Sequence, residues 1–154
     1  MFELARTAGN LDVNSCYHYI LLSYKFTDTC AVAVQGGELA GFATGFRDPN
    51  HPEVLFIWQV AVSNKFRNGG IAKAMLKHIL QRNFNPSIRF LEATITPSNK
   101  GSQALFQSLA NELNCSVNKE SLISASLFPE NGHEPESLFC LGPLGDRCTK
   151  KEYI

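Results

Sequence analysis

The chain lacks several features that would assign it early to a membrane or to a polyanion. Its longest apolar run covers residues 54–62 and contains Gln59, so it is far too short to span a bilayer. The N-terminus has no basic segment followed by an apolar signal core. Basic and acidic residues balance at 14 each, so no net charge attracts nucleic acid or anionic lipid. We therefore expect a cytoplasmic protein that binds neither nucleic acid nor a membrane.

Cysteine and phosphate-binding patterns exclude further classes. The five cysteines are odd in number and include no Cys-x-x-Cys pair, which predicts neither a disulfide framework nor a metal site. A chain of 154 residues can bury a hydrophobic core without disulfides or a bound metal. The sequence contains neither of two common phosphate-binding loops. These are the G-x-x-x-x-G-K-[ST] loop of nucleoside triphosphatases and the G-x-G-x-x-G turn of dinucleotide-binding folds.

What the chain does contain is a basic, glycine-rich turn within residues 60–72, between an apolar strand and an amphipathic helix. The unpaired N–H groups and the positive dipole end of a first helical turn attract anions. Gly69 and Gly70 allow the backbone to approach a diphosphate closely, while Lys65 and Arg67 add positive charge. This segment predicts a site for a phosphorylated cofactor.

The pattern Arg67-x-x-Gly70-x-Ala72 after a Val-Ala-Val strand resembles the pyrophosphate-binding motif of the GNAT N-acetyltransferase superfamily. The resemblance implies acetyl-CoA as the co-substrate and direct acetyl transfer to an amine. It also implies that a backbone N–H of the Val-Ala-Val strand polarises the thioester. The cofactor-binding residues expected on this basis are Val60, Ala61, Val62, Arg67, Asn68, Gly69, Gly70, Ile71, Ala72 and Asn99.

Hydrophobic periodicity and turn residues predict one α+β domain over residues 1–144 and a polar tail over residues 145–154. The resemblance implies a GNAT-type mixed, mostly antiparallel sheet flanked by helices. Asn14 and Ser98 are expected to cap two of the helices. Strands are predicted over residues 29–35, 39–46, 54–62, 88–96, 122–128 and 137–141. GNAT domains normally begin with a strand, whereas this chain begins with a predicted helix, so the first strand is expected to be missing.

Four segments outside the turn, at residues 11–17, 56–62, 96–99 and 132–136, resemble in the same order the diaminobutyrate acetyltransferases of ectoine biosynthesis. The resemblance implies acetylation of the γ-amine of L-2,4-diaminobutyrate, a step towards a compatible solute used against osmotic stress, by a homodimer. Two alternatives stay open. One is a GNAT enzyme for another small amine or a peptide, and the other is a non-catalytic acyl-CoA-binding protein.

The resemblance places Asp12, Tyr17, Trp58, Glu92 and His133 at the substrate, with Glu92 and His133 as candidate proton acceptors beside a water chain. Asp12 would fix the α-ammonium group or cap the following helix. Tyr17 would contact substrate or pack in the core. Trp58 would hold a cation against its ring or be a core residue.

Glu92 interrupts an apolar strand, on the face that it shares with Thr94 and Thr96. A carboxylate there is costly unless the strand borders an open cleft or has one wet face. His133 lies in a polar loop, where it is either a solvated residue or a proton shuttle.

Phe106 occupies the position, seven residues after Asn99, where many GNAT enzymes carry a tyrosine that protonates the leaving thiolate. Phenylalanine cannot donate a proton, so water or another hydroxyl must serve, or the thiolate leaves unprotonated. Five apolar residues near the C-terminus would form either a dimer interface or part of the core. They are Leu122, Ile123, Leu127, Phe128 and Phe139.

Overall fold

A six-stranded sheet forms the centre of the fold in the computed structural model, which describes residues 1–9, 11–129 and 132–145. The strands are β1 (Ala31–Gln35), β2 (Glu38–Arg47), β3 (Val54–Val62), β4 (Phe90–Ile95), β5 (Ser116–Ile123) and β6 (Glu136–Gly142). The helices of the described residues are α1 (Phe2–Ala8), α2 (Cys16–Lys25), α3 (Ile71–Leu80) and α4 (Lys100–Leu113). Short 3₁₀ turns cover Thr27–Thr29, Asn64–Phe66 and Ala125–Leu127.

The sheet has the order β1-β2-β3-β4-β6-β5 and is antiparallel except between β3 and β4. That parallel pair extends over three residue pairs only, the last being Phe56 opposite Glu92. Beyond it the two strands diverge, and each continues towards its carboxyl end paired only with its other neighbour, β3 with β2 and β4 with β6. The predicted mixed, mostly antiparallel sheet is confirmed, and no strand precedes α1 in the described residues.

Helices cover both faces of the sheet. Successive residues of β2 point to opposite faces, so Ala43 packs into the main core while Phe42 packs into a second cluster. The main core contains the apolar stripes of α3 and α4, including Leu76, Ile79 and Leu109. The second cluster, under α1 and α2, is smaller. It comprises Ala5, Ala8, Tyr19, Phe42 and Ala61.

Some of the predicted element bounds are confirmed, whereas two predicted helix caps are wrong. The predicted strand over residues 54–62 matches β3, and α1 ends at Gly9, whose φ of 81° is left-handed. Ser15, rather than Asn14, caps α2 by accepting a hydrogen bond from the His18 N–H, at 3.3 Å. Asn99, rather than Ser98, caps α4 by accepting from the Ser102 N–H, at 3.0 Å.

The strand predicted over residues 122–128 is wrong. β5 begins earlier, at Ser116, and the chain then turns through Ala125–Leu127. β5 lies at the edge of the sheet and most of its side chains are exposed, so no apolar alternation marks it in the sequence.

Among the described cysteines, Cys16, Cys30 and Cys140 are free thiols, and no described helix is long and apolar enough to cross a membrane. No cluster of metal-ligating side chains is found in the described ranges. Cys148 and the predicted tail, apart from Gly145, lie outside the described residues.

Candidate active site

The divergence of β3 and β4 opens the sheet, and two cavities of about 730 and 520 Å³ lie there. We call them the larger and the smaller cavity. The smaller cavity lies against the end of β3, the turn after it and α4. The larger cavity lies against the middle of β3, the end of β4 and the loop before β6. Asn99 lines both, so the two cavities meet at the N-terminus of α4.

The glycine-rich turn shapes the smaller cavity. Asn68 and Gly70 have left-handed φ angles of 63° and 74°, and α3 begins directly after Gly70. No side chain caps α3, so the N–H groups of its first turn are open to a ligand. All but one of the ten predicted cofactor residues line this cavity, and the exception is Gly69.

Two of these residues also hold the surrounding structure. The Arg67 guanidinium donates to the backbone carbonyls of Ala8, at 2.9 Å, and Val62, at 3.3 Å. It therefore joins the end of α1 to the end of β3 beside the turn. The Asn99 Oδ1 is used in capping α4, which leaves its Nδ2 free to donate to a ligand at the junction of the cavities.

The larger cavity is acidic and the smaller one is basic. Asp12, Glu134 and Glu136 line the larger cavity, and no lysine or arginine is among its described lining residues. Arg67 and Lys73 line the smaller cavity, whose described lining includes no carboxylate side chain. The pair therefore suits an anionic ligand and a cationic ligand that meet near Asn99.

His133 is held in a fixed orientation at the larger cavity. Its ring stacks on Phe128, with the centroids 3.5 Å apart, and its Nδ1 lies 2.6 Å from the Glu134 carbonyl oxygen. Because a carbonyl only accepts, the proton is on Nδ1 and a neutral ring carries its lone pair on Nε2. That Nε2 lies 3.8 Å from the Asp12 carboxylate.

Glu136 is a cavity residue that was not among the predicted site residues. It lines the larger cavity, and its Oε2 is buried without a hydrogen-bond partner. Burial raises the pKa of this carboxyl, with smaller opposing effects from His133 and from a Thr94 hydrogen bond, while the Asp12 charge raises it further. A signal existed in the sequence, because Glu136 is the last residue of the segment at residues 132–136 that carries the family resemblance.

Asp12 and Trp58 both line the larger cavity. Gln59, which is buried, accepts a hydrogen bond from the Tyr19 hydroxyl, at 2.9 Å, and donates to the Asp12 carbonyl, at 2.7 Å. These two hydrogen bonds anchor the Asp12 backbone, while the Asp12 carboxylate stays exposed. Since Ser15 caps α2, the capping alternative for Asp12 is wrong. Trp58 is 48% exposed, so the core alternative is wrong as well.

Glu92 and Tyr17 line neither cavity. Glu92 lies on the same face as Thr94, but at the last residue pair where β3 and β4 are still joined, before the sheet opens. Its partner on β6 is Cys140, whose pKa is raised to about 11, first by burial and then by the Glu92 carboxylate. Tyr17 points outward from α2 and is 69% exposed, whereas Tyr19 is the buried tyrosine of that helix.

Comparisons with known proteins agree with this geometry. The family model described as acetyltransferase (GNAT) matches residues 1–110. The chain belongs to the GNAT acetyltransferase family. It is 42% identical to L-2,4-diaminobutyric acid acetyltransferase of Halalkalibacterium halodurans over 94% of this chain and 76% of that protein.

Solved structures extend the comparison. The diaminobutyrate acetyltransferase of Paenibacillus lautus, in complex with L-2,4-diaminobutyric acid and coenzyme A, superposes with a TM-score of 0.88. It is 43% identical, and the match covers 92% of this chain and 86% of that one. The ribosomal-protein-S18-alanine N-acetyltransferase of Escherichia coli is only 14% identical, covers 99% of this chain and 90% of its own, and shows the shared GNAT fold with a TM-score of 0.65.

Phe106, which replaces the tyrosine of many GNAT enzymes, is buried as well as unable to donate a proton. Its side chain is 2% exposed and packs edge-on against Phe139, with ring centroids 6.5 Å apart. It belongs to the main core and lines neither cavity. The α4 residues that line the smaller cavity include Ser102 and Ser108 instead. No acid for the thiolate is therefore available at position 106.

The left-handed conformation of Gly70 gives a direct test of the smaller cavity. Gly70→Ala forces a Cβ into a backbone region that costs about 1–2 kcal/mol, and it disturbs the first turn of α3. We expect a lower Tm and weaker binding of coenzyme A, measured by calorimetric titration. Gly69→Ala is the matched control, because Gly69 has no positive φ and does not line the cavity. Equal losses of coenzyme A affinity in both variants would contradict this assignment.

Proposed function

We propose that this chain transfers the acetyl group of acetyl-CoA to the γ-amine of L-2,4-diaminobutyrate. The observation that carries the proposal is the meeting, at Asn99, of a basic cavity and an acidic one. The relatives named diaminobutyrate acetyltransferases, and the superposed structure bound to that substrate and coenzyme A, support the assignment.

Acetyl-CoA occupies the smaller cavity in this proposal. Its diphosphate binds the uncapped N–H groups of α3 and the positive charge beside them. The pantetheine arm then runs between the end of β3 and α4 towards Asn99, whose Nδ2 donates to it. Because β3 has left β4 by this point, backbone N–H groups over Val60, Ala61 and Val62 on that side are available to polarise the thioester carbonyl.

The amino acid occupies the larger cavity. Asp12 and Glu134 offer carboxylates for the α-ammonium group, and the exposed face of Trp58 adds a surface that attracts a cation. The side chains of Asn14 and Thr96 offer donors for the substrate carboxylate. With both α-groups held there, only the γ-amine reaches the junction with the smaller cavity.

Glu136 is the best-placed general base. The γ-amine is mostly protonated near neutral pH, since an alkylammonium has a pKa near 10.4. Glu136 takes a proton from it, helped by a raised pKa that makes this carboxylate a stronger base than an ordinary glutamate. The freed nitrogen then forms a bond to the thioester carbon, the C–S bond breaks, and the nitrogen gives a second proton to solvent as the amide forms. The coenzyme A thiolate takes a proton from solvent, because Phe106 has none to give. His133 shares the cavity, where its Nε2 lies 3.8 Å from the Asp12 carboxylate.

Substrate selectivity tests the proposal. We expect turnover with diaminobutyrate and at least about tenfold lower kcat/KM with ornithine and lysine, because their one and two added methylenes displace the reacting amine. Thiol release measures the rates, and NMR of the product locates the acetyl group on the γ-nitrogen. A broad profile that includes spermidine would favour a GNAT enzyme for another amine. Coenzyme A binding without any turnover would favour a non-catalytic binding protein.

Replacing the proposed base separates catalysis from folding. Glu136→Gln should lower kcat by about 100-fold or more and remove the acidic limb of the kcat/KM pH profile. Glu92→Gln is the control, because Glu92 lies on the same sheet face but outside the cavity, and it should keep near-normal turnover. If Glu92→Gln loses activity and Glu136→Gln keeps it, the base is Glu92.

Glu136→Gln should lower activity without lowering the stability of the fold. A carboxyl whose folded pKa is raised stabilises the fold at low pH, and that stabilisation is lost as pH rises through the folded pKa. Above it, the fold carries a partly buried charge with one unpartnered oxygen. We therefore expect Glu136→Gln to leave Tm unchanged or higher near pH 8. A lower Tm there would indicate a structural role for the carboxylate instead.

We also propose that the enzyme works as a homodimer in the cytoplasm, where free thiols persist. Of the five apolar residues expected to form either an interface or part of the core, Phe139 is in the core, and Leu122, Ile123 and Phe128 line the larger cavity. Only Leu122 and Leu127 are exposed. A broader apolar surface lies on α2, where exposed residues recur at helical spacing. They are Tyr17, Ile20, Leu21 and Tyr24.

Light scattering tests this interface. The wild type should have twice the mass of the 17.0 kDa chain, and Ile20→Glu should reduce it to the monomer mass. Leu127→Glu, at an exposed site on another element, should leave the dimer intact. A monomeric wild type would contradict the homodimer, and a response to Leu127→Glu alone would move the interface to the C-terminal part of the chain.

A further inference from the structure

Two lysines of α3 share one glutamate of α4 at the outer end of the smaller cavity. The Lys73 ammonium lies 2.8 Å from one Glu112 oxygen and donates to the Ser108 hydroxyl, at 3.2 Å. The Lys77 ammonium is paired with the other Glu112 oxygen. All three charged side chains are about one-third exposed. The cluster therefore carries one net positive charge.

The two lysines differ in what they face. Lys73 and Ser108 line the smaller cavity, whereas Lys77, one helical turn further along α3, does not. Hydrogen bonds from Lys73 and then from Lys77 hold the pKa of Glu112 at about 2, so this carboxylate is ionised throughout the working range of pH. When Lys73 leaves, Lys77 still neutralises Glu112. A ligand can therefore recruit the Lys73 charge without leaving a carboxylate unpaired next to it.

The position of the cluster indicates which part of the cofactor it meets. Ser108 lies nine residues after Asn99 along α4, a distance of about 13 Å in a helix. Asn99 marks the junction where acetyl transfer takes place, so Lys73 lies at the end of the cavity remote from the reaction. In acetyl-CoA the phosphates are likewise separated from the thioester by the pantetheine arm.

We propose that Lys73 exchanges its ion pair with Glu112 for a phosphate group of acetyl-CoA, while Lys77 retains Glu112. The inference rests on acetyl-CoA as the ligand of the smaller cavity. The phosphate belongs either to the diphosphate or to the 3′-phosphate of the adenosine, and both offer the same oxygen acceptors to an ammonium group. Lys73 is thus a cofactor-binding residue that the glycine-rich turn alone does not reveal.

Calorimetric titration with coenzyme A tests the proposal without depending on the amine substrate. Lys73→Met keeps an unbranched apolar side chain but removes the ammonium charge, and it should raise Kd by about tenfold, as for loss of one charge-assisted contact. Lys73→Arg should restore most of the affinity. Lys77→Met leaves Lys73 at the cavity but removes the second partner of Glu112, so its Kd should rise less than that of Lys73→Met.

Titration with 3′-dephospho-coenzyme A distinguishes the two phosphates. If Lys73 binds the 3′-phosphate, Lys73→Met raises Kd only for intact coenzyme A. If it binds the diphosphate, the variant raises Kd equally for both ligands. An unchanged Kd in Lys73→Met, or an equal rise in Lys73→Met and Lys77→Met, would overturn the proposal. A wild type that does not bind coenzyme A at all would instead count against the assignment of the cavity.

Discussion

The early end of hydrogen bonding between β3 and β4 is the constraint on which the site depends. The two strands pair over three residues and then separate. Backbone groups that would otherwise join the sheet are left facing a gap, and buried polar groups of that kind need partners. In the proposed function acetyl-CoA supplies them on the β3 side, and the residues at the ends of both strands become cavity walls. Glu92 and Thr94 show the effect, because two residues along β4 separate a sheet position from a cavity position.

Charge is distributed around this gap so that each cavity selects its own ligand. The uncapped α3, Arg67 and Lys73 give the smaller cavity a positive field, while three carboxylates give the larger cavity a negative one. Asn99 lies where the two fields meet. A phosphate-bearing thioester and a cationic amine are thereby brought together without a metal ion or a covalent enzyme intermediate in the proposed reaction.

Much of this arrangement follows from local sequence signals. The turn at Gly70 is predictable because its chemistry is contiguous along the chain, and the β3 strand because it is apolar along its length. Long-range register is different. Whether Glu92 or Glu136 faces the cavity depends on where β3 and β4 part and on how β6 pairs with β4, and neither is encoded locally. The two lysines of α3 likewise look equivalent until the packing of α4 separates them.

A crystal structure with coenzyme A and diaminobutyrate bound together tests the central claim most directly. The account predicts coenzyme A in the smaller cavity with its sulfur beside Asn99, and the γ-nitrogen of the amino acid between that sulfur and the Glu136 carboxylate. The α-ammonium group should face Asp12. An amino acid bound with its α-nitrogen towards the sulfur, or coenzyme A bound outside the gap between β3 and β4, would contradict it.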